Sequence, residues 1–275
     1  MIVVAAALYG IGLFSARRNG TRWPAWPTVA FYVFGLGSYA WIEFGFLGTW
    51  STELRWAFTT RVAFLLFVVP GLLALGRPVS LARAALSGTP ARVLDRILTS
   101  WPVRLMGNAI FAPVVALVGF CLFLTPFAAA LRLDPGWEAA ITIGVPLVGL
   151  LMVLPVTDSG LLRTSLFITA EFMLAFVELV LDAIPGILLR LNESVLDHAT
   201  ALSGALPSWF PTALHDQHLS GDFLWFIAEI ADIPVLIILF LRWMHTDKRE
   251  AKQMDDLTDE QMEQLTQEHL KRFQR

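Results

Sequence analysis

Seven apolar runs, at roughly residues 2–15, 27–49, 54–75, 105–131, 138–157, 164–189 and 222–243, constrain this chain more than any other feature. About 20 apolar residues of helix cross a bilayer core, and most of the runs are near that length. Hydrocarbon offers no water to satisfy backbone N–H and C=O groups, so such runs must become continuous helices. Composition agrees: 56% of the residues are A, V, I, L, M, F, W, Y or C and 16% are charged, against roughly 45–50% apolar with glycine included and about 25% charged in soluble domains. The expected fold is all-α, a polytopic membrane protein with seven transmembrane helices. A net charge of −3 leaves no footprint for nucleic acid. The lone Cys121 forms neither an intrachain disulfide nor a Cys-based metal cluster.

Lys and Arg in the short loops set the orientation. Arg17, Arg18 and Arg22 follow the first run, Arg77, Arg83, Arg92, Arg96 and Arg104 lie between the third and fourth, Arg163 lies between the fifth and sixth, and Arg242, Lys248, Arg249 and Lys252 follow the last. In a seven-helix chain these intervals share one side, and the other carries mainly Arg55, Arg132 and Arg190. The N-terminus is therefore expected outside and the C-terminus in the cytoplasm, with the chain in a bacterial plasma membrane. Trp50, Trp56, Trp137 and Trp225 fall at the outer boundary, and Trp23, Trp26, Trp101 and Trp243 at the inner one, where indole rings are enriched. The first run has about 14 residues before Ser15-Ala16-Arg17-Arg18; a signal anchor, a span shortened by a late start and the end of a longer parent chain all fit it.

Residues 1–244 are expected to form the membrane domain and 245–275 a charged cytosolic tail, where Thr258-x-x-Gln261 has the form of a capping box. Inside 76–104, Thr89 is expected to cap a helix with Pro90 at its first position. Val93, Leu94, Ile97, Leu98 and Trp101 recur there at helical spacing opposite Arg92, Asp95 and Arg96, as in an amphipathic helix lying on the lipid of the inner leaflet. Residues 190–221 are read as an outer loop whose Pro207-Ser-Trp-Phe-Pro211 segment dips into the interface.

Ionisable groups inside a bilayer are expensive and so mark candidate sites. Glu43 and Arg61 sit at matched depth on either side of the second hairpin turn, which predicts an ion pair. Glu171, Glu178 and Asp182 fall on one face of the sixth run, and Glu229 and Asp232 lie three apart in the seventh. These five and Glu43 face one intramembrane base, so they cannot all be ion-paired. Two readings stay open, a polar path or cation site between the last two spans and protonated carboxyls bonded between helices. His215 and His218, just ahead of the seventh run, are candidate imidazole ligands, with solvated loop histidines as the alternative. No Gly-rich phosphate loop, nucleophile elbow or zincin motif is present, and no enzymatic activity is expected.

Two segments carry a resemblance. Phe67-Val-Val-Pro70-Gly-Leu-Leu-Ala-Leu-Gly76-Arg-Pro78-Val-Ser-Leu-Ala-Arg-Ala-Ala-Leu86 is a proline-containing helix running into a Leu-Gly-x-Pro turn and an Arg/Ala/Leu helix, and Asp216-Gln217-His-Leu-Ser-Gly221-Asp-Phe-Leu-Trp225 leads to a last span and Leu241-Arg242-Trp243. In order and spacing, over roughly residues 25–250, the chain resembles the CtaG-type assembly factors of caa3 cytochrome c oxidases. The resemblance implies a task of helping copper reach a haem–copper oxidase from the outer face of the membrane. That family tends to carry histidines in its third, fourth and fifth helices, where this chain has Phe58-Thr-Thr-Arg61-Val62, Leu122-Phe-Leu-Thr-Pro126 and Ile141-Thr-Ile-Gly144. The expected partners are therefore cytochrome c oxidase or respiratory supercomplex subunits, engaged through membrane-embedded contact, with no cofactor expected. Copper delivery from the outer face is the alternative, and a small cation or proton transporter a third.

Overall fold

The computed structural model describes residues 1–106, 111–157, 165–197 and 207–255, with side chains outside the description at 106, 112, 113, 154–157, 165–171, 178, 235, 242 and 249–255. Among the described residues every regular element is helical. α1 (Ile2–Arg18) is followed by α2 (Ala25–Val29), α3 (Gly37–Phe44) and α4 (Phe46–Trp50), then α5 (Arg55–Ala63), α6 (Val69–Leu75), α7 (Pro78–Ala85), α8 (Thr89–Leu98) and α9 (Trp101–Met106). α10 (Phe111–Cys121), α11 (Phe127–Leu133), α12 (Pro135–Thr157), α13 (Ser165–Leu191) and α14 (Ala213–Asp255) complete the chain.

Five helical stretches among the described residues are long and apolar enough to cross a membrane: Ala25–Trp50, Arg55–Leu75, Pro135–Val153, Phe172–Leu191 and Ala213–Lys248. A sixth results if α10 and α11 count as one span, but they meet at 96°. The bend has a local cause. Thr125 precedes Pro126, whose ring excludes helical backbone from the residue before it, and Thr125 is extended (φ −110°, ψ 159°). The run at 105–131 is therefore a broken element rather than a straight span. α1, at 17 residues, falls short of the length of the others.

Each of the first two spans contains one π-helical turn. Pro70 has no N–H for the carbonyl of Leu66, and the ladder widens over Phe64–Val68, so that Val69 N–H donates to Phe64 O. The matching turn, Ala30–Leu36, ends with Gly37 N–H on Tyr32 O. Gly149 of α12 lies directly against the Leu66 carbonyl, a closeness only a residue without Cβ permits.

At the arginine-rich end the Leu75-Gly76-Arg77-Pro78 turn is tied down from α1. Tyr9 stacks on Phe31, with ring centroids 3.9 Å apart, and its hydroxyl donates to Gly76 O at 2.8 Å. A Cβ on Gly76 would lie 2.6 Å from Phe31 Cβ. Arg77 takes left-handed backbone (φ 52°), and Pro78 opens α7. α8 buries no residue, and its Val93 and Ile97 are exposed along with Trp101 of α9, the amphipathic surface read from the sequence. Its cap differs from expectation: Thr89 is already helical, and Gly88, with φ 66° and ψ −131°, holds the flanking position, a conformation glycine adopts without strain.

The last two helices reach further than their apolar runs. α13 continues to Leu191, and α14 begins at Ala213 because Thr212 caps it, its Oγ1 accepting from His215 N–H at 3.3 Å. The connection is thus 192–212 rather than 190–221. Its Trp209 and Phe210 pack on Trp50 of the hairpin at centroid distances of 5.2 and 5.4 Å, so this segment docks on protein aromatics. α14 extends to Asp255, into the region read as a tail; Thr258 and Gln261 lie outside the described residues. α13 and α14 pair closely because Gly186 and Gly221 meet backbone to backbone.

Candidate functional site

The structure brings Glu43 of α3 and Arg61 of α5 together. Arg61 Nη2 is 2.7 Å from Glu43 Oε2 and Nε donates to Oε1 at 3.2 Å, a forked pair. The side chains are 3% and 8% exposed. Arg61 Nη1 donates to Ser51 Oγ at 3.1 Å and Nη2 to Thr142 Oγ1 at 2.6 Å, while Tyr39 OH donates to Thr142 O at 3.0 Å. Glu138 stands 3.8 Å away and half exposed. The cluster ties the first two spans to α12, and its donors and acceptors are spent on one another.

A second polar centre at the hairpin end escaped the sequence reading, which took Arg55 and Arg132 for boundary charges. Both are buried, 3% and 4% exposed. Leu54, the residue flanking α5, offers no side-chain cap, so the first N–H groups of that helix need a partner from elsewhere. Asp216 of α14 supplies it: its two oxygens accept from the Arg55 and Trp56 N–H groups at 2.9 Å each. Beside it Gln217, fully buried, accepts from Arg55 Nη1 and Leu196 N–H, both at 2.9 Å, and donates to Ser194 O at 3.0 Å. Arg55 also donates to Phe123 O in the broken fourth element. Arg132 pairs with Asp197 at 3.0 Å, both buried, and donates to Glu53 O. The only signal in the sequence was the Asp216-Gln217 dipeptide itself.

The remaining candidates separate. Among the described residues neither oxygen of Asp182, which is 1% exposed, has a hydrogen-bond partner, and Asp232 Oδ2 also lacks one. Glu229 accepts from Trp225 Nε1 at 2.5 Å. Glu171 and Glu178 lie on α13, with side chains outside the described residues. His215 and His218 are helical rather than in a loop; His215 is exposed, and His218 Nε2 lies 3.2 Å from Asn192 O.

Residues 7–246 match the profile of the family described as cytochrome c oxidase caa3 assembly factor. The chain belongs to this family. Curated relatives include an uncharacterised protein, Mb0105, of Mycobacterium bovis and another, MT0111, of Mycobacterium tuberculosis, each 27% identical over 95% of this chain and 41% of the relative. An uncharacterised protein of Mycobacterium leprae, ML1998, is 28% identical over 94% of this chain and 40% of its own length. The chain thus spans about two-fifths of the length of these relatives. No solved structure matches it.

Family membership raises the question of copper, and the described residues do not fit it. No group of three His, Cys, Asp or Glu side chains among them could hold a metal ion. The three segments where a caa3 assembly factor tends to carry histidine meet at an apolar cavity of about 300 Å³, lined by Val62, Phe123, Ile141 and Gly144 with Phe120 and Met152. Phe58 of the first of these segments stands edge to face with Phe123 at 5.6 Å. One thioether among hydrocarbon is not a Cu(I) site.

Proposed function

We propose that this caa3 assembly factor acts on a haem–copper cytochrome c oxidase by membrane-embedded contact with the oxidase or its supercomplex, and has no high-affinity intramembrane copper site of its own. The observation that carries the reading is the apolar lining of the cavity where the helix histidines of the resembled family would converge. The segments that stand where the resembled family tends to carry histidine line this cavity with Val62, Phe123 and Ile141. In this reading the chain crosses the plasma membrane seven times, with the hairpin end and its Arg55–Asp216 centre outside. Contact is then available through the exposed apolar faces of α13 and α14, where Phe176, Val180, Ile237 and Phe240 stand outward, and through the 192–212 connection.

The test is a tagged pull-down of the full chain from gently solubilised membranes, with metal analysis of the same sample. Co-migration of oxidase subunits with little copper is expected. Stoichiometric copper lost on His215→Ala with His218→Ala would replace this reading with copper delivery. Absence of oxidase subunits from the sample would remove it altogether.

A further inference from the structure

Asp182 is the one strongly buried acid described above for which the structure supplies no counter-group. It sits on α13 four residues inward of the Gly186–Gly221 contact and is 1% exposed, with both carboxyl oxygens unpartnered among the described residues. The elements packed on α13 are α14, α10 and the turn Leu122–Leu124. α10 and that turn carry no Lys, Arg or His, and neither does α14 between Phe223 and Leu241. Their titratable groups are Cys121, Glu229 and Asp232; on α13 itself stand Glu171, Glu178 and Arg190, the last paired with Asp222 at 3.2 Å. Asp232 acts electrostatically on Asp182, and Glu229 on Asp232.

A bare carboxylate in such surroundings costs far more than a neutral acid, and the counter-cation has to come from solution. A metal ion needs several converging ligands, and no group of three acidic or imidazole ligands is assembled here among the described residues. A proton needs one oxygen. We propose that Asp182 is a proton-binding site that exchanges its proton with Glu229 and Asp232 of α14.

Gly186 lies against Gly221 and Trp225, so in this antiparallel pair Glu229 and Asp232 both sit deeper from the hairpin end than Asp182; Glu229 is partly exposed and held by Trp225, and Asp232 follows three residues on along the same helical face. Hydronium gives up its proton, the carboxylate becomes the neutral acid, and water is left. Pro185 and Pro234 leave the carbonyls of Leu181 and Ile230 without their helical N–H partner, so acceptors for the new carboxyl O–H occur in the same stretch of both helices. The site is independent of whether the protein contacts an oxidase.

Infrared difference spectra of the full chain in nanodiscs, in H2O and D2O, test it. At neutral pH a carboxylic C=O band that shifts on deuteration is expected, lost in Asp182→Asn, displaced in frequency in Asp182→Glu and kept in Asp232→Asn with slower exchange. The glutamate variant retains the acid, so it reports even if the amide variant fails to fold. No band sensitive to residue 182, a band lost in Asp232→Asn instead, or a carboxylate band of Asp182 that moves on adding sodium would each overturn the assignment.

Discussion

At the residue scale, the chain places its buried charges in two different settings, and the difference is measurable. Glu43 and Arg61 are desolvated together, so removing one leaves the other charge alone: Arg61→Met should cost about 3–5 kcal/mol, and pairing it with Glu43→Gln should recover most of that. Thermal unfolding of the purified variants as a double-mutant cycle reads the coupling, and additive losses would contradict it. Asp216 combines a helix cap with a buried partner for Arg55. Asp216→Ala should therefore exceed the ~1 kcal/mol of an ordinary cap and reach about 3 kcal/mol. Asp222→Ala, which breaks a half-exposed pair with Arg190, should stay below about 1 kcal/mol. The same unfolding measurement ranks the two, and equal losses would show that Asp216 caps nothing of consequence.

Glycines decide how closely elements approach. A methyl group on Gly221 would run into the carbonyl of Gly186, so Gly221→Ala must push α13 and α14 apart, a loss of about 1–3 kcal/mol. Gly119 in α10 has open space where its Cβ would be. Gly119→Ala is expected to stabilise by up to about 1 kcal/mol, the helix-propensity gain alone. Opposite signs in the midpoints of the two variants are the expected result; equal signs would mean that the helix pair can slide to absorb a methyl. The two π turns belong to this scale as well, since Pro70 forces one of them and Gly149 makes room for the carbonyl it displaces.

For the whole molecule, orientation can be tested without any partner. Ser87, between α7 and α8, and Ser208, in the 192–212 connection, are both exposed at opposite ends of the helices. In a Cys121→Ser background, Ser87→Cys should react with a membrane-impermeant thiol reagent only after the membrane is opened, and Ser208→Cys in intact cells. Labelling of both from one side would refute the orientation. The arrangement also explains how a chain with so few polar side chains holds its shape. In lipid, apolar contact between helices gains little over contact with lipid tails, and the Arg55, Arg61 and Arg132 centres join spans whose apolar faces alone would not fix their register.

Hydropathy alone made the chain helical and membrane-embedded, because the physics of an unsatisfied backbone in hydrocarbon leaves no alternative. The depth of Glu43 and Arg61 was legible for the same reason: two charges equidistant from one short turn must lie level. Gly76 and Pro78 marked a tight turn, and Val93, Ile97 and Trp101 an amphipathic surface, because those are local features. What tertiary structure decided is everything that joins distant positions. That Asp216 caps a helix 160 residues earlier, that Gln217 and Arg132 are buried while Arg190 is not, and that the fourth apolar run bends at Thr125 instead of crossing straight depend on which helices become neighbours. A run of apolar residues specifies immersion in lipid but not the partner it meets there, and an arginine near a boundary is solvated or buried according to whether another element brings a carboxylate or a carbonyl to it.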